Sequence, residues 1–366
     1  MSTVSFNFAM ETSTAADVVI VGAGPAGSAA AIWLARHGLR VLLLEREPFP
    51  RHRPGETLPP GVEPLFVQLG VDDAIATANF LRHAGTWVTW AGPRRFEPFG
   101  ADEQGVWHGY QAPRERLDAI LRDAAITAGA VLRQPRRALA PLLAEGVVSG
   151  VTTPDGPITA RWTIDAGGGS HWLARHLDLP IQRASPRLTA RYGYLQGECP
   201  ARNDAPEIVA DDLGWTWSAR VASGLYHWTR LAWQPGDRAR DHPPPALRRL
   251  AAAGHTRGAD VTWRMVSRPA GPGYFCIGDA AAVLDPAASH GVLKAIMSGM
   301  MAAHVILRVH AGVVTPAAAS DAYNAWLQEW FAADTAQLRR FYAELPSPPP
   351  WVLEAGSGYE SGAGFG

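Results

Sequence analysis

The order of apolar and polar positions predicts a strand, a helix and a second strand at the start of the chain. Residues 18–21 form a short apolar run of the buried-strand type, and residues 41–44 form another. Between them, a run of small and apolar residues follows Pro25 and stops at Gly38, as a helix followed by a glycine does. This order of elements is typical of an α/β fold with a parallel sheet.

Later segments rich in Trp, Tyr, Thr and Val predict an antiparallel sheet. They are residues 86–90, 106–110, 189–196, 214–219, 226–233 and 261–265. Another apolar strand is predicted at residues 274–277, and residues 321–345 have the apolar spacing of a helix. Prolines end that helix and a Gly/Ser-rich stretch follows, so we expect residues 346–366 to form a flexible tail, with a lid that orders on a partner as the alternative.

The turn after the first strand has the chemistry of a dinucleotide site. In the pattern GxGxxG, the first glycine allows a tight turn, the second lets a pyrophosphate approach the backbone, and the third lets the helix pack closely. The free amides at the start of the helix bind anions. Glu45 ends the second strand about 20 residues later, where an acid would accept the ribose hydroxyls of adenosine. The candidate residues are Gly22, Gly24, Pro25, Ala26, Gly27 and Glu45.

Residues 278–303 resemble the second FAD fingerprint of flavoprotein monooxygenases. In that family the position of Asp279 holds the ribityl chain, and the helix from about Gly291 points its partly positive end at the flavin ring. The segments PRERLDAILRDAA and ARWTIDAGGG match further patterns of the family. Taken without the family, residues 278–303 predict only a strand, a loop and a buried helix. The resemblance assigns to the FAD site Arg46, Arg51, Arg114, Asp165, Gly167, Gly278, Asp279, Pro286, Ser289, Gly291 and Val292.

This resemblance implies an α/β fold in which a Rossmann-like FAD-binding domain of the GR2 type is interleaved with an antiparallel β-sheet substrate domain. The FAD-binding domain is expected to take residues 16–81, 111–182 and 265–310. The substrate domain takes residues 82–110 and 183–264. C-terminal helices follow at residues 311–345.

Shorter motifs resemble those of flavin-dependent halogenases and their relatives. FPRHRPGETLPP is similar to an element shared by halogenases, related hydroxylases and the maturation flavoproteins of tryptophylquinone amino-acid oxidases. GWTWSAR keeps both tryptophans of the halogenase signature W-x-W-x-I-P but lacks its Ile and Pro. His83 stands where halogenases carry their catalytic lysine, and a largely neutral imidazole is a poor substitute. With the ASHGVLKAIMSG helix, these features resemble most closely the maturation flavoproteins of the LodB/GoxB type.

The resemblance implies an FAD-dependent monooxygenase that hydroxylates an aromatic ring through a flavin C4a-peroxide. FAD is expected to be non-covalent and reduced by NAD(P)H or by a separate reductase, with O2 as co-substrate. The implied substrate is a tryptophan residue of a partner protein, a precursor amino-acid oxidase, during cysteine tryptophylquinone biogenesis. Two alternatives stay open: a hydroxylase or halogenase of a small aromatic compound, and a flavin-binding assembly partner without chemistry. The catalytic candidates are His290, Glu56 and His83, of which His290 is the preferred proton donor or acceptor.

Composition narrows the class of protein. The chain has 33 basic and 34 acidic residues in 366 and no run of Lys or Arg, so we predict no nucleic-acid partner. Cys199 and Cys276 are too few for a disulfide framework or a cysteine metal site, and we predict no metal and a reducing, cytoplasmic setting. Charged residues interrupt the longest apolar stretch, residues 291–313, which favours a buried helix over a membrane span.

Overall fold

The computed structural model describes residues 16–233 and 242–353, and the strands of those residues form two large sheets and three small ones. The strands are β1 (Ala16–Val21), β2 (Val41–Leu44), β3 (Thr57–Leu58), β4 (Leu81–His83), β5 (Gly85–Thr89), β6 (Arg95–Pro98), β7 (Ala101–Asp102), β8 (Gly105–Val106), β9 (Gly109–Gln111), β10 (Val131–Arg133), β11 (Ala140–Ala144), β12 (Val147–Thr153), β13 (Gly156–Asp165), β14 (Ile181–Arg183), β15 (Thr189–Gln196), β16 (Glu207–Asp211), β17 (Gly214–Ala222), β18 (Leu225–Ala232), β19 (Ala251–Ala252), β20 (Arg257–Asp260), β21 (Arg264–Val266), β22 (Ala270–Gly271), β23 (Tyr274–Cys276) and β24 (Ala282–Val283). The helices are α1 (Pro25–Arg36), α2 (Glu63–Leu69), α3 (Asp72–Thr77), α4 (Arg114–Thr127), α5 (Trp172–His176), α6 (Gly291–His310), α7 (Pro316–Ala343) and α8 (Pro350–Leu353).

The first sheet has the order β10-β2-β1-β13-β12-β11, with β23 and β22 joined to β13. Strands β10, β2, β1, β13 and β23 run parallel, so their carboxyl ends meet at one edge. In that register Val21 pairs with Leu44 and with Asp165. The loops that carry the predicted dinucleotide residues therefore leave the sheet side by side, as ligand loops do in open α/β sheets.

Helix α1 lies between the sheet and α6, and small residues let the two helices approach closely. A Cβ atom built on Gly299 of α6 would lie 2.3 Å from the carbonyl oxygen of Ala26 in α1. By length and composition, α6 could also cross a membrane, and 56% of its most apolar window is buried inside the protein. Such a helix is weak evidence for a membrane span, because buried core helices have the same composition.

The second sheet has the order β19-β15-β18-β17-β16-β5-β6, with β20 also paired to β15. The expectation of a wholly antiparallel sheet is wrong at one pair, because β16 runs parallel to β5. The two strands come from segments separated by α4 and part of the first sheet, and this long crossover permits a parallel pairing. The first sheet draws on residues 16–81, 111–182 and 265–310 and the second on 82–110 and 183–264. The domain boundaries themselves stay a prediction.

Helices α7 and α8 close the second sheet through a buried polar and aromatic network. The indole of Trp215 donates a hydrogen bond to the hydroxyl of Tyr342 at 2.8 Å, and that hydroxyl donates to Asp285 at 2.9 Å. The indole of Trp263 donates to the same carboxylate at 2.6 Å, and the ring of Trp351 in α8 packs edge-on against Trp263. The predicted flexible tail is therefore wrong for residues 346–353, while residues 354–366 lie outside the described residues.

Most of the predicted elements coincide with strands and helices of the structure, and two predicted strands are wrong in part. The predicted strand at residues 106–110 is interrupted because the exposed Trp107 leaves the ladder and donates its indole N–H to Asp102. At residues 261–265 the strand begins only at Arg264. Before Arg264, the hydroxyl of Thr262 accepts the amide N–H of Leu188 and donates to Asp260, so this side chain interrupts the backbone ladder.

Candidate active site

A cavity of about 1140 Å³ opens between the carboxyl edge of the first sheet and one face of the second. Its volume exceeds the roughly 300–1000 Å³ of ordinary small-molecule pockets, so it has room for a dinucleotide and a second compound. At one end it is lined by the glycine turn and the residues after β2. At the other end it is lined by the second sheet and α7.

The glycine turn brings the N-terminus of α1 to the cavity because larger residues do not fit. Gly22 has a φ of +106°, and a Cβ there would lie 2.4 Å from the carbonyl oxygen of Ala166. A Cβ on Gly27 would lie 1.9 Å from the oxygen of Gly22, so Gly27 packs the helix against the turn and does not line the cavity. Gly24, Pro25 and Ala26 do line it. No side chain caps the helix at Gly24, which leaves its first amides for an anion.

Glu45, Arg51 and Asp118 form a buried charged network beside this turn. Glu45 accepts the amide N–H of Ala23 at 3.0 Å, and its carboxylate lies 3.6 Å from Nε of Arg51. Arg51 also lies 3.5 Å from Asp118, which Arg114 binds through two hydrogen bonds of 2.8 and 3.0 Å. Nε of Arg51 is buried and makes no hydrogen bond among the described residues.

The predicted flavin end is assembled from the loop after β23 and the start of α6. The cavity is lined here by Gly278, Asp279, Pro286, Ser289, His290, Gly291 and Val292. Burial, followed by the nearby charge of Lys294, holds the pKa of His290 below its ordinary value, while Asp334 opposes this effect. His290 is therefore neutral at pH 7 and able to accept a proton.

Two further predicted FAD residues, Arg46 and Asp165, lie at the mouth of the cavity and behind its wall, respectively. Arg46 lies at the solvent-exposed mouth of the cavity, 3.5 Å from Glu47. Asp165 does not line the cavity: its carboxylate accepts the amides of Gly167 and Leu173, each at 2.8 Å, and so holds the loop behind the cavity wall. Burial raises the pKa of Asp165 to about 6. Gly167 itself lines the cavity, so the cofactor role predicted for Asp165 is corrected to a structural one.

The second sheet presents one face of alternating residues to the cavity. Strand register places Trp217, Thr229 and Tyr192 side by side in one row across β17, β18 and β15. The next row holds Ala219, His227 and Tyr194. Successive rows of the same face are two residues apart, so these side chains form a continuous wall. From the sequence, the tryptophans of this wall were expected to be packing residues. His227 was not recognised as a candidate site residue.

Glu56 lies where this wall meets the flavin end. One carboxylate oxygen accepts the hydroxyl of Tyr194 at 2.5 Å. The other accepts the amide of Gly55 at 3.0 Å and lies 3.4 Å from Nδ1 of His227. Glu56 and His227 both line the cavity and are both buried. The prediction of a polar role for Glu56 at the cavity is thus supported by its position, with partners that only the strand register brings to it.

His83 is not at the cavity. It lies on β4, is buried, and its Nδ1 lies 2.9 Å from the carbonyl oxygen of Gly85. Burial lowers its pKa. Since His83 lies in a separate, small crevice of the structure, the catalytic role considered for it is corrected to a structural one.

The cavity instead contains Lys294, the only lysine of the chain. Its ammonium group pairs with Asp334 of α7 and lies 4.4 Å from the ring centroid of Trp330. Burial lowers the pKa of Lys294, and the charge of Asp334 opposes that shift. That only one of the 33 basic residues is a lysine is visible in the sequence and could have marked Lys294 as a candidate site residue. Its partner Asp334 lies on α7, and the sequence does not reveal that contact.

The described residues fit the FAD that the sequence predicts. The uncapped amides of α1 and the unbonded Nε of Arg51 both need an acceptor, which a diphosphate supplies. The Glu45 carboxylate lies beside them for a ribose, and the N-terminus of α6 lies at the other end of the cavity. Among the described residues no cluster of three His, Cys, Asp or Glu side chains is arranged to hold a metal ion.

Comparisons with known proteins agree with this geometry. A family model described as FAD binding domain matches residues 15–221. A tryptophan 2-halogenase of Chondromyces crocatus is 27% identical over 366 residues, which cover 91% of this chain and 69% of that protein. A menaquinone reductase of Mycobacterium tuberculosis is 29% identical over 384 residues, covering 94% of this chain and 89% of that protein.

The structure of the myxobacterial chondrochloren halogenase CndH superimposes with a TM-score of 0.82 at 24% identity, covering 90% of this chain and 83% of that one. At this identity the likeness shows the fold alone. The predicted fold class, an α/β FAD-binding domain combined with a β-sheet and C-terminal helices, is confirmed.

Proposed function

The chain belongs to the FAD binding domain family, and we propose that it is a monooxygenase that adds one oxygen atom of O2 to an aromatic ring. It is an FAD-dependent oxidoreductase, as its halogenase and reductase relatives also indicate. The proposal rests on one observation: a single cavity runs from the dinucleotide turn to a sheet wall that carries Trp215 and Trp217.

When bound and reduced, FAD supplies oxygen in a form that aromatic rings accept. The protein's part is to hold the ring and to exclude water. Trp217 is buried and supplies an apolar surface to the wall, and Phe331 and Trp330 of α7 also line the cavity. Apolar side chains of this kind exclude water, which would otherwise destroy the activated oxygen before it reacts with the ring. His290 is neutral and lies beside the N-terminus of α6, where it can hold or accept a proton.

The test is oxygen incorporation. FAD-loaded protein receives NADH or NADPH, with and without an added flavin reductase, together with ¹⁸O₂ and either free tryptophan or a panel of simple phenols. We expect an aromatic product one ¹⁸O heavier, and fewer products per reductant consumed in Trp217→Ala. Trp107→Ala is the matched control, since Trp107 lies on the surface outside the cavity. Oxidation of the reductant without any oxygenated aromatic, here and with the protein substrate below, would contradict the proposal.

We further propose that the aromatic ring belongs to a tryptophan of a partner protein, the precursor of an amino-acid oxidase. The support is the GETLPP element and the ASHGVLKAIMSG helix, which resemble the LodB/GoxB type of maturation flavoprotein. In addition, the exposed residues Gln337, Arg340 and Glu344 line the mouth of the cavity, so a side chain can enter from outside. Coexpression with the precursor of an amino-acid oxidase should add oxygen to a tryptophan peptide of that precursor, which mass spectrometry detects. An unmodified peptide beside efficient hydroxylation of a free aromatic would reject the protein substrate alone.

Halogenation is the second candidate, because the cavity does contain a lysine. The argument from His83 loses its force, since that residue lies elsewhere, and Lys294 lies in the cavity with a lowered pKa. We still expect no halogenated product, because Asp334 holds the ammonium group in an ion pair. Chloride or bromide is added to the assay above with tryptophan and phenols. A halide-dependent product that disappears in Lys294→Met and persists in His83→Ala would establish halogenation.

A further inference from the structure

A cluster of buried and half-buried polar side chains lies where the second sheet meets Glu56 at the cavity. It consists of His227 and Thr229 on β18, Tyr192 and Tyr194 on β15, and Glu56. The hydroxyl of Thr229 lies 3.2 Å from Nε2 of His227, and Glu56 lies 3.4 Å from Nδ1. The ring of Tyr194 stacks on the imidazole with a centroid distance of 4.8 Å. Both ring nitrogens therefore have defined neighbours.

The contacts determine which nitrogen carries the proton. A carboxylate beside Nδ1 favours the tautomer with the proton on that nitrogen, so Nε2 is the accepting nitrogen, here of the Thr229 hydroxyl, whose place a substrate hydroxyl would take. Tyr194 and the amide of Gly55 hold the carboxylate of Glu56 in place. This is the arrangement in which a carboxylate orients an imidazole and stabilises its protonated form.

We infer that His227 is the proton acceptor of the substrate compartment, that Glu56 positions it, and that the ring to be oxygenated already carries a hydroxyl group. A tryptophan substrate is then one whose ring has been hydroxylated once before. The inference rests on the proposed function, since it concerns the ring that is oxygenated. In the step, the O–H bond of the ring hydroxyl breaks and its electron pair stays on oxygen. The proton forms a new N–H bond at Nε2, and the electron-rich phenolate is then the better acceptor of oxygen.

The charge on His227 is set by all the groups around it. Burial lowers its pKa, the charge of Glu56 raises it, and His52 lowers it again. Tyr192 and Tyr194 face it from β15, Thr229 from its own strand, and Arg114 acts on the nearby Glu56. At neutral pH the imidazole is uncharged and can accept a proton. It becomes cationic, and stops accepting, only as the pH falls below the usual range of histidine.

The test uses 4-nitrophenol, whose phenolate absorbs visible light, and the FAD-loaded protein, so no turnover is needed. In the wild type we expect the pKa of the bound probe to fall by about one unit or more, a tenfold rise in the ratio of phenolate to phenol. In His227→Gln the shift should disappear. In Glu56→Gln it should shrink, because the imidazolium loses its counter-charge. His255→Gln, an exposed residue outside the cavity, is the matched control and should keep the full shift.

A structural role would not produce this pattern, because Tyr194→Phe removes a contact of similar size. That variant removes one hydrogen bond to Glu56 and keeps the contact between Glu56 and His227, so the shift should persist or grow. If His227→Gln retains less FAD than the wild type, ¹⁵N-histidine NMR of the wild type replaces it: one imidazole must become protonated as 4-nitrophenol binds at pH 7.

Three results would overturn the inference: a full shift in His227→Gln, no shift in the wild type, or a phenolate that binds without protonation of an imidazole. Failure of the proposed function is distinguishable. In that case the probe ionises as expected and no aromatic compound or peptide gains ¹⁸O. If ring oxygenation proceeds and His227→Gln leaves the probe unchanged, only the inference fails.

Discussion

The contact between α1 and α6 is close enough for one methyl group to change both stability and cofactor binding. In Gly299→Ala, the new Cβ would lie 2.3 Å from the carbonyl oxygen of Ala26 and 3.3 Å from the amide nitrogen of Ala30. Carbon and oxygen atoms normally stay about 3.3 Å or more apart, so the helices must separate by about 1 Å. The atoms in conflict belong to the backbone of α1, and no side-chain rotation relieves them.

Two opposing terms determine the effect on the free energy of unfolding. Alanine is favoured over glycine inside a helix by about 1 kcal/mol. Overpacking a close contact costs about 1–3 kcal/mol, occasionally more, and rigid backbone on both sides favours the upper end. We therefore expect Gly299→Ala to be less stable by about 2 kcal/mol. Because α1 carries the glycine turn, its displacement should also weaken FAD binding by about tenfold, equivalent to about 1.4 kcal/mol.

The assay is thermal unfolding of the apoprotein together with fluorescence titration of FAD. Gly92→Ala is the matched control: it makes the same chemical change where a Cβ meets no atom within 4 Å, and it should be neutral or slightly stabilising. The sign of the result for Gly299→Ala is decisive. A variant about 1 kcal/mol more stable than the wild type, with unchanged FAD affinity, would show that helix propensity outweighs the contact and that the helices are not so close.

Three further outcomes are expected. Acid precipitation should release all FAD into the supernatant, and flavin retained in the pellet would show a covalent bond. Glu45→Ala should weaken FAD more than FMN in fluorescence titrations, because only FAD offers the carboxylate an adenosine ribose; equal losses would remove that role. Burial raises the pKa of Asp165 to about 6, so its protonated form stabilises the fold below about pH 4 and that contribution is lost as the pH rises through 6. The stability of the wild type relative to Asp165→Asn should fall across that range in urea titrations, and a constant difference would contradict it.

Features with a local cause were predictable from the sequence. Strand β2 begins and ends where the apolar run does, α6 begins at Gly291, and β15 occupies residues 189–196 as predicted. The glycine pattern and Glu45 lie close in sequence, and a strand, turn and helix necessarily bring them together. Such signals depend on neighbours within about 20 residues, so one pass along the chain detects them.

The substrate side of the cavity could not be predicted from local sequence patterns, because its contacts join segments that are far apart in the chain. Glu56 meets Tyr194 across 138 positions of the chain, and Lys294 meets Asp334 across 40. The residues around His83 in the sequence do not show whether it is a buried structural histidine or a cavity residue. The structure shows the former, because the ring is buried and contacts the carbonyl oxygen of Gly85.

The sequence by itself determined the cofactor end of this protein. FAD binding depends on short motifs, and the spacing of residues within each motif is enough to place the backbone groups that contact the cofactor. The tertiary structure decided the rest. The register of β15, β17 and β18 places His227 beside Glu56, and α7 brings Asp334 to the single lysine. A shift of one residue in that register would turn these side chains to the opposite face of the sheet, and only the packed core excludes it.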